Sequence, residues 1–461
     1  MKLMKSLRSM TKSGESVGEI LKYWLPEMIS STILFSLTPI VDSHFIASLG
    51  SLSTYGALGT ANNLFHTLIK FAESIPVASM AVMGRHNGSK DYEKCGEDLG
   101  DTFWTTFFIG FLQFVVICFA ARHIFWWLGV SEKVAIKGAP FLQLKSLGIM
   151  LIFISLALIG FMKSVKNTRV PMLINIVGIG AFIFFDYALI FGHFGFPQLG
   201  LNGSAIATII QYATMNVLSI AYIIWNPDYK KYFARMFFSY FSFKRVQHLL
   251  NLSWPIMVDK TTLAMSYVWL SKMLAPMGTA VIATYDVVKN LERFAFLPAI
   301  AFAQIIVFLV SNRLGTKDYD GAISNVKKVL ILTSIITSIA LLFLCMNASF
   351  FISCFDPKNK FTDFASFVLQ IISILVVFDF IQLVLAGALR GAGDVRSVMW
   401  GRFFSCFFIF IPVSYAISKL PIQQQSVKFL LIYGTFYLTT AVMGIIFLMR
   451  IRSHKWEKTD V

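Results

Sequence analysis

Two aspartates lie inside apolar stretches of the first half of the chain, where an ionised side chain is costly. Asp42 stands in "PIVDSHF" and Asp186 in "FFDYALIFG". A carboxylate deep in a bilayer must be paired, hydrated or neutralised, so each is a candidate functional group. Two carboxylates facing one cavity can take up and release a proton, or can hold Na⁺ with both groups ionised. Alternatively, each accepts hydrogen bonds from local donors such as Ser36, Asn63 or Asn175.

The second half has a denser set of charges within its apolar stretches: Asp259, Lys260, Asp286, Lys289, Glu292, Arg293 and Asp379. Spacings of three and four in "DVVKNLERF" place Asp286 beside Lys289, and Lys289 beside Glu292 and Arg293, on one helical face. Ion pairs lining a water-filled cavity would explain a charge network of this kind within a membrane span. The spacing leaves open whether these side chains also contact a substrate.

The elements that position these residues are membrane-spanning helices. Of 461 residues, 56% are hydrophobic and 14% are charged, which excludes a soluble protein of this length. Apolar runs of roughly 20 residues, each long enough to cross a bilayer, recur along the whole sequence. The pattern predicts an all-α polytopic membrane protein with about twelve transmembrane helices.

The net charge of +16 indicates topology rather than nucleic-acid binding. Most Lys and Arg residues, Arg402 among them, fall on one side of the membrane if the spans alternate, which predicts that both termini are cytoplasmic. The polar, basic first 20 residues lack an apolar core, so we expect no cleaved signal peptide. The five cysteines have no metal-ligand spacing, and we expect ordinary packing or loop roles for them.

An internal repeat relates the two halves. "LIGFMKSVKNTRVPM" (158–172) aligns without gaps with "LAGALRGAGDVRSVM" (385–399), at an offset of 227 residues. The same offset aligns "NGSKDY" with "LGTKDY", and "LPEMI" at Leu25 matches "WPIMV" at Trp254 within two residues of it. Six spans in each half return the chain to the same side, so the repeat predicts two six-helix lobes related by a pseudo-twofold axis along the membrane normal.

This arrangement divides the chain into five parts: a cytoplasmic segment (1–22), an N-lobe (23–225), a cytoplasmic linker (226–247), a C-lobe (248–450) and a cytoplasmic tail (451–461). Pro26 and Pro255 occupy matching places near the start of each lobe. A proline removes one helical hydrogen bond, so both are candidate hinges.

The glycine-rich stretch "GALRGAGDVR" (387–396) is predicted to be a turn between helices. Gly391 and Gly393 suit a helix C-terminus, while Asp394 and its repeat partner Asn167 suit the N-cap of the next helix. Neither GxxxxGK[ST] nor GxGxxG after a strand is present, which argues against a nucleotide site. We find no catalytic cluster near the membrane interface, such as HExxH or a nucleophile beside a histidine, so the sequence does not predict an enzyme.

Four motifs together resemble the multidrug and toxic compound extrusion (MATE) transporters: "LAGALRGAGDVR", the repeated Gly-[ST]-Lys-Asp turn, "VDSHFIASLG" and "FGFPQLGLNGSAIAT". The resemblance covers about Leu25 to Arg450. It implies twelve helices in two lobes around a central cavity with alternating access. It also implies export of organic, often cationic, compounds in exchange for protons or sodium.

The resemblance places Asp42 on the family's first-span aspartate and Asp186 on the fifth-span aspartate typical of its DinF-like branch, which we expect to be the closest. Asp379 matches the tenth-span aspartate of the NorM-like branch. Leu263 stands about where that branch has a glutamate, so the resemblance implies that the sodium site of its second lobe is incomplete here.

Two transport hypotheses follow. The first is a monomeric antiporter in the cell membrane that has no cofactor, does not bind nucleic acid, and exports a small organic molecule in exchange for H⁺ or Na⁺ at Asp42 and Asp186. The second is a flippase for a lipid-linked sugar, in which Lys260, Lys289 and Arg293 bind a pyrophosphate.

Overall fold

The apolar stretches form long helices joined mostly by short turns, because a backbone in lipid must satisfy its own hydrogen bonds. A computed structural model describes residues 13–232, 234–356 and 359–458, and these residues contain helices and turns but no β-strand. The predicted all-α class is confirmed. Parts of the predicted N-terminal segment (1–12) and tail (459–461), and the side chain of Asn63, lie outside the described residues.

The first of two compact units is Leu25–Trp254. Its helices are the later part of α1 (Val17–Thr32), α2 (Thr38–Ser48), α3 (Leu52–Ala72), α4 (Ser74–Gly88), α5 (Tyr92–Trp127), α6 (Glu132–Ser164), α7 (Arg169–Phe191), α8 (Leu201–Trp225) and the start of α9 (Phe243–Leu274). Two 3₁₀ turns, Pro227–Tyr232 and Ala234–Ser239, precede α9.

The second unit is Pro255–Val461 together with the described residues up to Trp24. After the remainder of α9 and a 3₁₀ turn (Ala275–Met277), its helices are α10 (Thr279–Gly315), α11 (Tyr319–Met346), α12 (Ala348–Ser353), α13 (Thr362–Gly391), α14 (Val395–Ser405), α15 (Ile411–Lys419) and α16 (Gln425–Arg452). A 3₁₀ turn, Lys455–Lys458, follows α16.

Twelve helical segments correspond to the twelve predicted spans. Within the part of the chain that the structure describes, nine of these helical segments are long and apolar enough to cross a membrane, by length and composition. They are α5, α6, α7, α8, α10, α11, α13, α14 with α15, and α16. The other three are α1 with α2, α3 with α4, and α9. Asp42 lies in the first of these three and Asp259 in the last, which makes both segments more polar.

Two of the described spans contain a π-helical turn that ends two positions before a proline. Ile33–Leu37 joins α1 to α2 ahead of Pro39, and Cys406–Phe410 joins α14 to α15 ahead of Pro412. A proline ring clashes with the carbonyl four residues earlier, and the extra residue of a π turn relieves that clash. By contrast, α1 continues through Pro26 and α9 continues through Pro255.

The chain passes from one compact unit to the other beside each of the predicted hinge prolines, after Trp24 and after Trp254. The described residues before Leu25 pack in the second unit, where the Trp24 ring stacks on Phe302 at 5.0 Å and its indole N–H donates to the Pro298 carbonyl. The predicted parts place residues 1–22 and 226–247 outside both lobes. In the structure, the described residues of these ranges pack within one unit or the other.

Backbone geometry repeats at the offset that the sequence predicts. Lys90 and Lys317, 227 residues apart, both have a left-handed φ of about 60° in the turns after α4 and α10. Lys166 (φ 63°) and Gly393 (φ 82°) form a second such pair, after α6 and α13. The turn predicted within 387–396 is present but shorter, at residues 392–394 between α13 and α14, and Gly393 adopts the conformation that glycine favours.

The two capping predictions have different outcomes. Asn167 Oδ1 accepts a hydrogen bond from the Val170 amide, as an N-cap does. Asp394 makes no side-chain cap, and its carboxylate instead accepts from Arg450 Nε at 2.6 Å. Asp394 does occupy the N-cap position of α14, as predicted, but its side chain makes no capping hydrogen bond because the long-range arginine takes the carboxylate.

The glycine pair Gly387 and Gly160 offers a matched test of packing. A Cβ at Gly387 would lie 2.7 Å from the Ala303 carbonyl oxygen, whereas one at Gly160 would meet nothing closer than 3.5 Å. We expect Gly387→Ala to destabilise the protein by about 1–3 kcal/mol through overpacking. Gly160→Ala should change stability by less than about 0.5 kcal/mol. Thermal unfolding of the two purified variants compares them directly, and equal melting temperatures would contradict the expectation.

Candidate functional site

Asp42 lies in α2, directly after the π turn, and is buried in the first unit. Its Oδ1 atom accepts a hydrogen bond of 2.6 Å from the Ser204 hydroxyl on α8. The Oδ2 atom lies 3.7 Å from Nζ of Lys145 on α6. The predicted local donor Ser36 makes no hydrogen bond to Asp42 among the described contacts, and two other helices supply the partners instead.

Lys145 is a functional candidate that the sequence pattern did not lead us to predict. Its side chain is almost completely buried, and Nζ donates to Asn62 Oδ1 at 2.7 Å. A signal was available, because Lys145 lies inside the predicted span 139–163, whose other charge, Lys163, stands at its end, and a charge inside a span is a functional candidate by default. Ser204 and Asn62 gave no comparable signal, because uncharged polar residues are common in spans.

Asp186 on α7 is 0% exposed, and it is close enough to Asp42 and Lys145 to interact electrostatically with both. Neither of its carboxylate oxygens accepts a hydrogen bond from any residue that the structure describes. In particular, Asn175 does not donate to it. A buried carboxylate without donors is costly while it is ionised, and binding a proton removes that cost.

The first unit thus brings together two acids and one base: Asp42, Asp186 and Lys145. With all three ionised, the cluster carries two negative charges and one positive charge, which leaves one negative charge uncompensated. In the part of the chain that the structure covers, no group of three or more His, Cys, Asp and Glu side chains is placed to hold a metal ion.

In the second unit, Asp259 is bound by two arginines. Arg390 from α13 and Arg402 from α14 both donate to its carboxylate, and Arg402 is only 2% exposed. Arg402 also lies 3.4 Å from Gln382, whose amide donates to Asp379 at 3.0 Å. The prediction that Arg402 is a cytoplasmic charge was wrong, because its side chain is buried inside the unit beside Asp259.

Glu292 belongs to a different part of the second unit. Its Oε2 atom accepts hydrogen bonds from the hydroxyl groups of Tyr433 (2.6 Å) and Tyr437 (3.0 Å) on α16. Its Oε1 atom accepts none among the described residues. Glu292 is buried, whereas Arg293, the next residue along α10, is exposed.

The remaining charges of α10 lie at its surface. Lys289 Nζ is 3.2 Å from Asp286, and both side chains are more than a third exposed. The predicted single face is therefore split between an exposed pair and a buried glutamate. The reason is geometric: each step of three residues falls about 60° short of a full helical turn, so Asp286 and Glu292 point in different directions. Lys260 is half-buried on α9.

A repeated ion pair joins the first span of each half to its fourth. Lys163 and Arg390, equivalent at the 227-residue offset, contact Glu27 (2.7 Å) and Asp259, respectively. Glu27 follows Pro26 directly, and Asp259 follows Pro255 by four residues. Each pair lies within a single compact unit and holds the helix just beyond the predicted hinge.

Comparison with known proteins identifies relatives over nearly the whole chain. The family model MatE matches residues 28–188 and again residues 255–416, once in each half. The chain is 23% identical over 390 residues to the probable multidrug resistance protein NorM of Pasteurella multocida, covering 82% of each chain. It is 24% identical over 441 residues to the probable multidrug resistance protein YoeA of Bacillus subtilis, covering 92% of this chain and 94% of that protein.

Solved structures show the same fold at low sequence identity. The chain is similar to a MATE protein crystallised in the straight conformation, with a TM-score of 0.86 and 15% identity. The alignment covers 97% of this chain and 98% of that one. An outward-facing multidrug resistance MATE transporter of the MOP superfamily gives a TM-score of 0.86 at 14% identity, covering 96% of this chain and 97% of that one.

Proposed function

This chain belongs to the MatE family of multi-pass secondary transporters, and from that premise we propose that it exports organic, cationic amphipathic compounds in exchange for protons. The choice of the proton as the coupling ion rests on the cluster of Asp42, Lys145 and Asp186. One negative charge remains uncompensated there. The Asp186 carboxylate, which accepts no hydrogen bond from the described residues, is the group that would take up the proton.

The proposed coupling uses the different costs of the two protonation states. With a proton on Asp186, the cluster is neutral and tolerates a dry, closed environment. After the proton leaves, the uncompensated charge favours hydration and thus a conformation in which water reaches the site. Proton binding can shift the conformational equilibrium only through such a difference between states. We place the resulting bend near Pro26, where the chain passes between the two compact units.

The substrate class is also part of the proposal. The two relatives described above are probable multidrug resistance proteins, which favours an organic compound. The alternative, a lipid-linked sugar, requires free cations that bind a pyrophosphate. Lys289 is paired with Asp286, and both Arg390 and Arg402 contact Asp259, so three of the cations in the second unit already have carboxylate partners.

We further propose that the protein acts as a monomer in the inner membrane of a bacterium, with both termini in the cytoplasm. The bacterial origin of the relatives supports the location. The excess of Lys and Arg on one side of the alternating spans supports the orientation.

Efflux from vesicles tests the proposed ion and substrate class together. We expect purified wild-type protein to export a fluorescent organic cation when a proton gradient is imposed, and not when only a sodium gradient is imposed. A proton ionophore should abolish the first signal, and protein-free vesicles provide the background. Export driven by sodium alone, or no export under either gradient while a lipid-linked pyrophosphate is moved, would contradict the proposal.

A further inference from the structure

The ammonium group of Lys145 is held on several sides inside the first unit. Nζ donates to Asn62 and lies near Asp42, at 2.7 Å and 3.7 Å, respectively. It also lies over the rings of Phe65 and Phe141, 5.0 Å from each centroid. A lysine side chain is flexible, but here burial, one hydrogen bond and two cation–π contacts fix the position of its charge.

The atoms around this ammonium are those that bind a small metal cation. A carboxylate oxygen of Asp42 and the amide oxygen of Asn62 face Nζ. Ser204 contacts the other oxygen of Asp42, and Asp186 has two further oxygens without hydrogen-bond donors among the described residues. Carboxylate, amide and hydroxyl oxygens are the usual ligands of hard cations. Lys145 therefore occupies the place that such a cation would take.

We propose that Lys145 is a resident cation that excludes Na⁺ from the carboxylate site and so makes the site selective for protons. The inference rests on the proposed function, in which Asp42 and Asp186 bind the coupling ion. It adds the residue that decides which ion is used.

The selectivity has two physical causes. One more positive charge makes the cluster neutral, because Lys145 already neutralises one of the two carboxylates. A proton needs only one oxygen, whereas a sodium ion needs several oxygens at once, and Lys145 holds two of the candidates. Replacing the ammonium with a neutral group would leave two carboxylates, an amide and a hydroxyl without a cation, and sodium could then bind.

Sodium-dependent thermal stability of the full-length purified protein tests this inference without a transport assay. We expect wild-type protein to melt at the same temperature in sodium chloride and in choline chloride of equal ionic strength. Lys145→Met should melt higher in sodium chloride, by about 2 °C or more at a saturating sodium concentration, because a cation that binds only the folded state stabilises it. Lys145→Gln, which can still donate to Asn62, provides a second variant for the case that the methionine variant aggregates.

Three controls locate the effect. Lys145→Arg retains the cation and should remain insensitive to sodium. Lys137→Met, on the same helix but bonded to Ser51 and Thr54, should also remain insensitive. Lys145→Met combined with Asp42→Asn should lose the sodium response.

The inference is overturned if wild-type protein is stabilised by sodium, or if the folded methionine and glutamine variants are not. A failure of the proposed function would be detected separately, by the efflux assay in vesicles. A wild-type protein that moves no organic cation under a proton gradient would refute the antiport proposal, while the sodium response of the Lys145 variants would still report on the site.

Discussion

Asp42→Asn is expected to abolish export driven by a proton gradient. The substitution leaves Lys145 and Asp186 as one positive and one negative charge, so the cluster is already neutral and gains nothing from binding a proton. The hydrogen bond from Ser204 can be kept by the amide oxygen, so the fold should survive. We expect gradient-driven efflux to fall by about 100-fold, which corresponds to losing a coupling free energy of about 3 kcal/mol. Asp186→Asn should have the same effect, because it leaves the Asp42–Lys145 pair.

The assay is initial efflux rate in vesicles that contain equal amounts of each variant. Asp320→Asn, an exposed acid in the first turn of α11, is the matched control and should retain the wild-type rate. Substrate should still move down its own concentration gradient in the Asp42 variant, because binding and coupling are separate. Undiminished proton-driven efflux in both aspartate variants would remove the coupling role from this site.

The second large effect is expected at Asp259. Asp259→Asn removes the carboxylate that Arg390 and Arg402 share, and Arg402 is only 2% exposed, so water has little access to solvate it. Removing one partner from a buried ion pair costs about 3–5 kcal/mol, because the remaining charge stays in a low-dielectric environment. We therefore expect a markedly lower melting temperature and a reduced yield of folded protein.

Asp286→Asn is the matched control in the same unit. That aspartate pairs with Lys289 at the surface, where such a pair contributes at most about 1 kcal/mol. A double variant, Asp259→Leu with Arg402→Met, should recover part of the lost stability because it removes one of the two unpaired charges. If Asp259→Asn and Asp286→Asn melt at the same temperature, the buried cluster does not stabilise the second unit.

The internal repeat found in the sequence also predicts details of the three-dimensional structure. An offset found in a handful of residues also relates the left-handed backbone at Lys90 and Lys317, and it pairs Lys163 with Arg390, each of which contacts an acid on the first span of its half. Turn conformation and span order depend on local residues, so they repeat wherever the local sequence repeats. Asp394 departs from this pattern because its partner, Arg450, is 56 residues away.

The sequence by itself determined the all-α class, the twelve spans, the two halves and the two acids of the first half, because apolar length, charge placement and internal repetition are properties of the chain. Only the tertiary structure decided which groups surround those acids. Lys145, Ser204 and Asn62 come from three different helices, and Arg390 and Arg402 reach Asp259 across more than 130 residues. Helix packing sets such contacts, and one buried ammonium then changes a pair of carboxylates from a possible sodium site into the proton site that we propose.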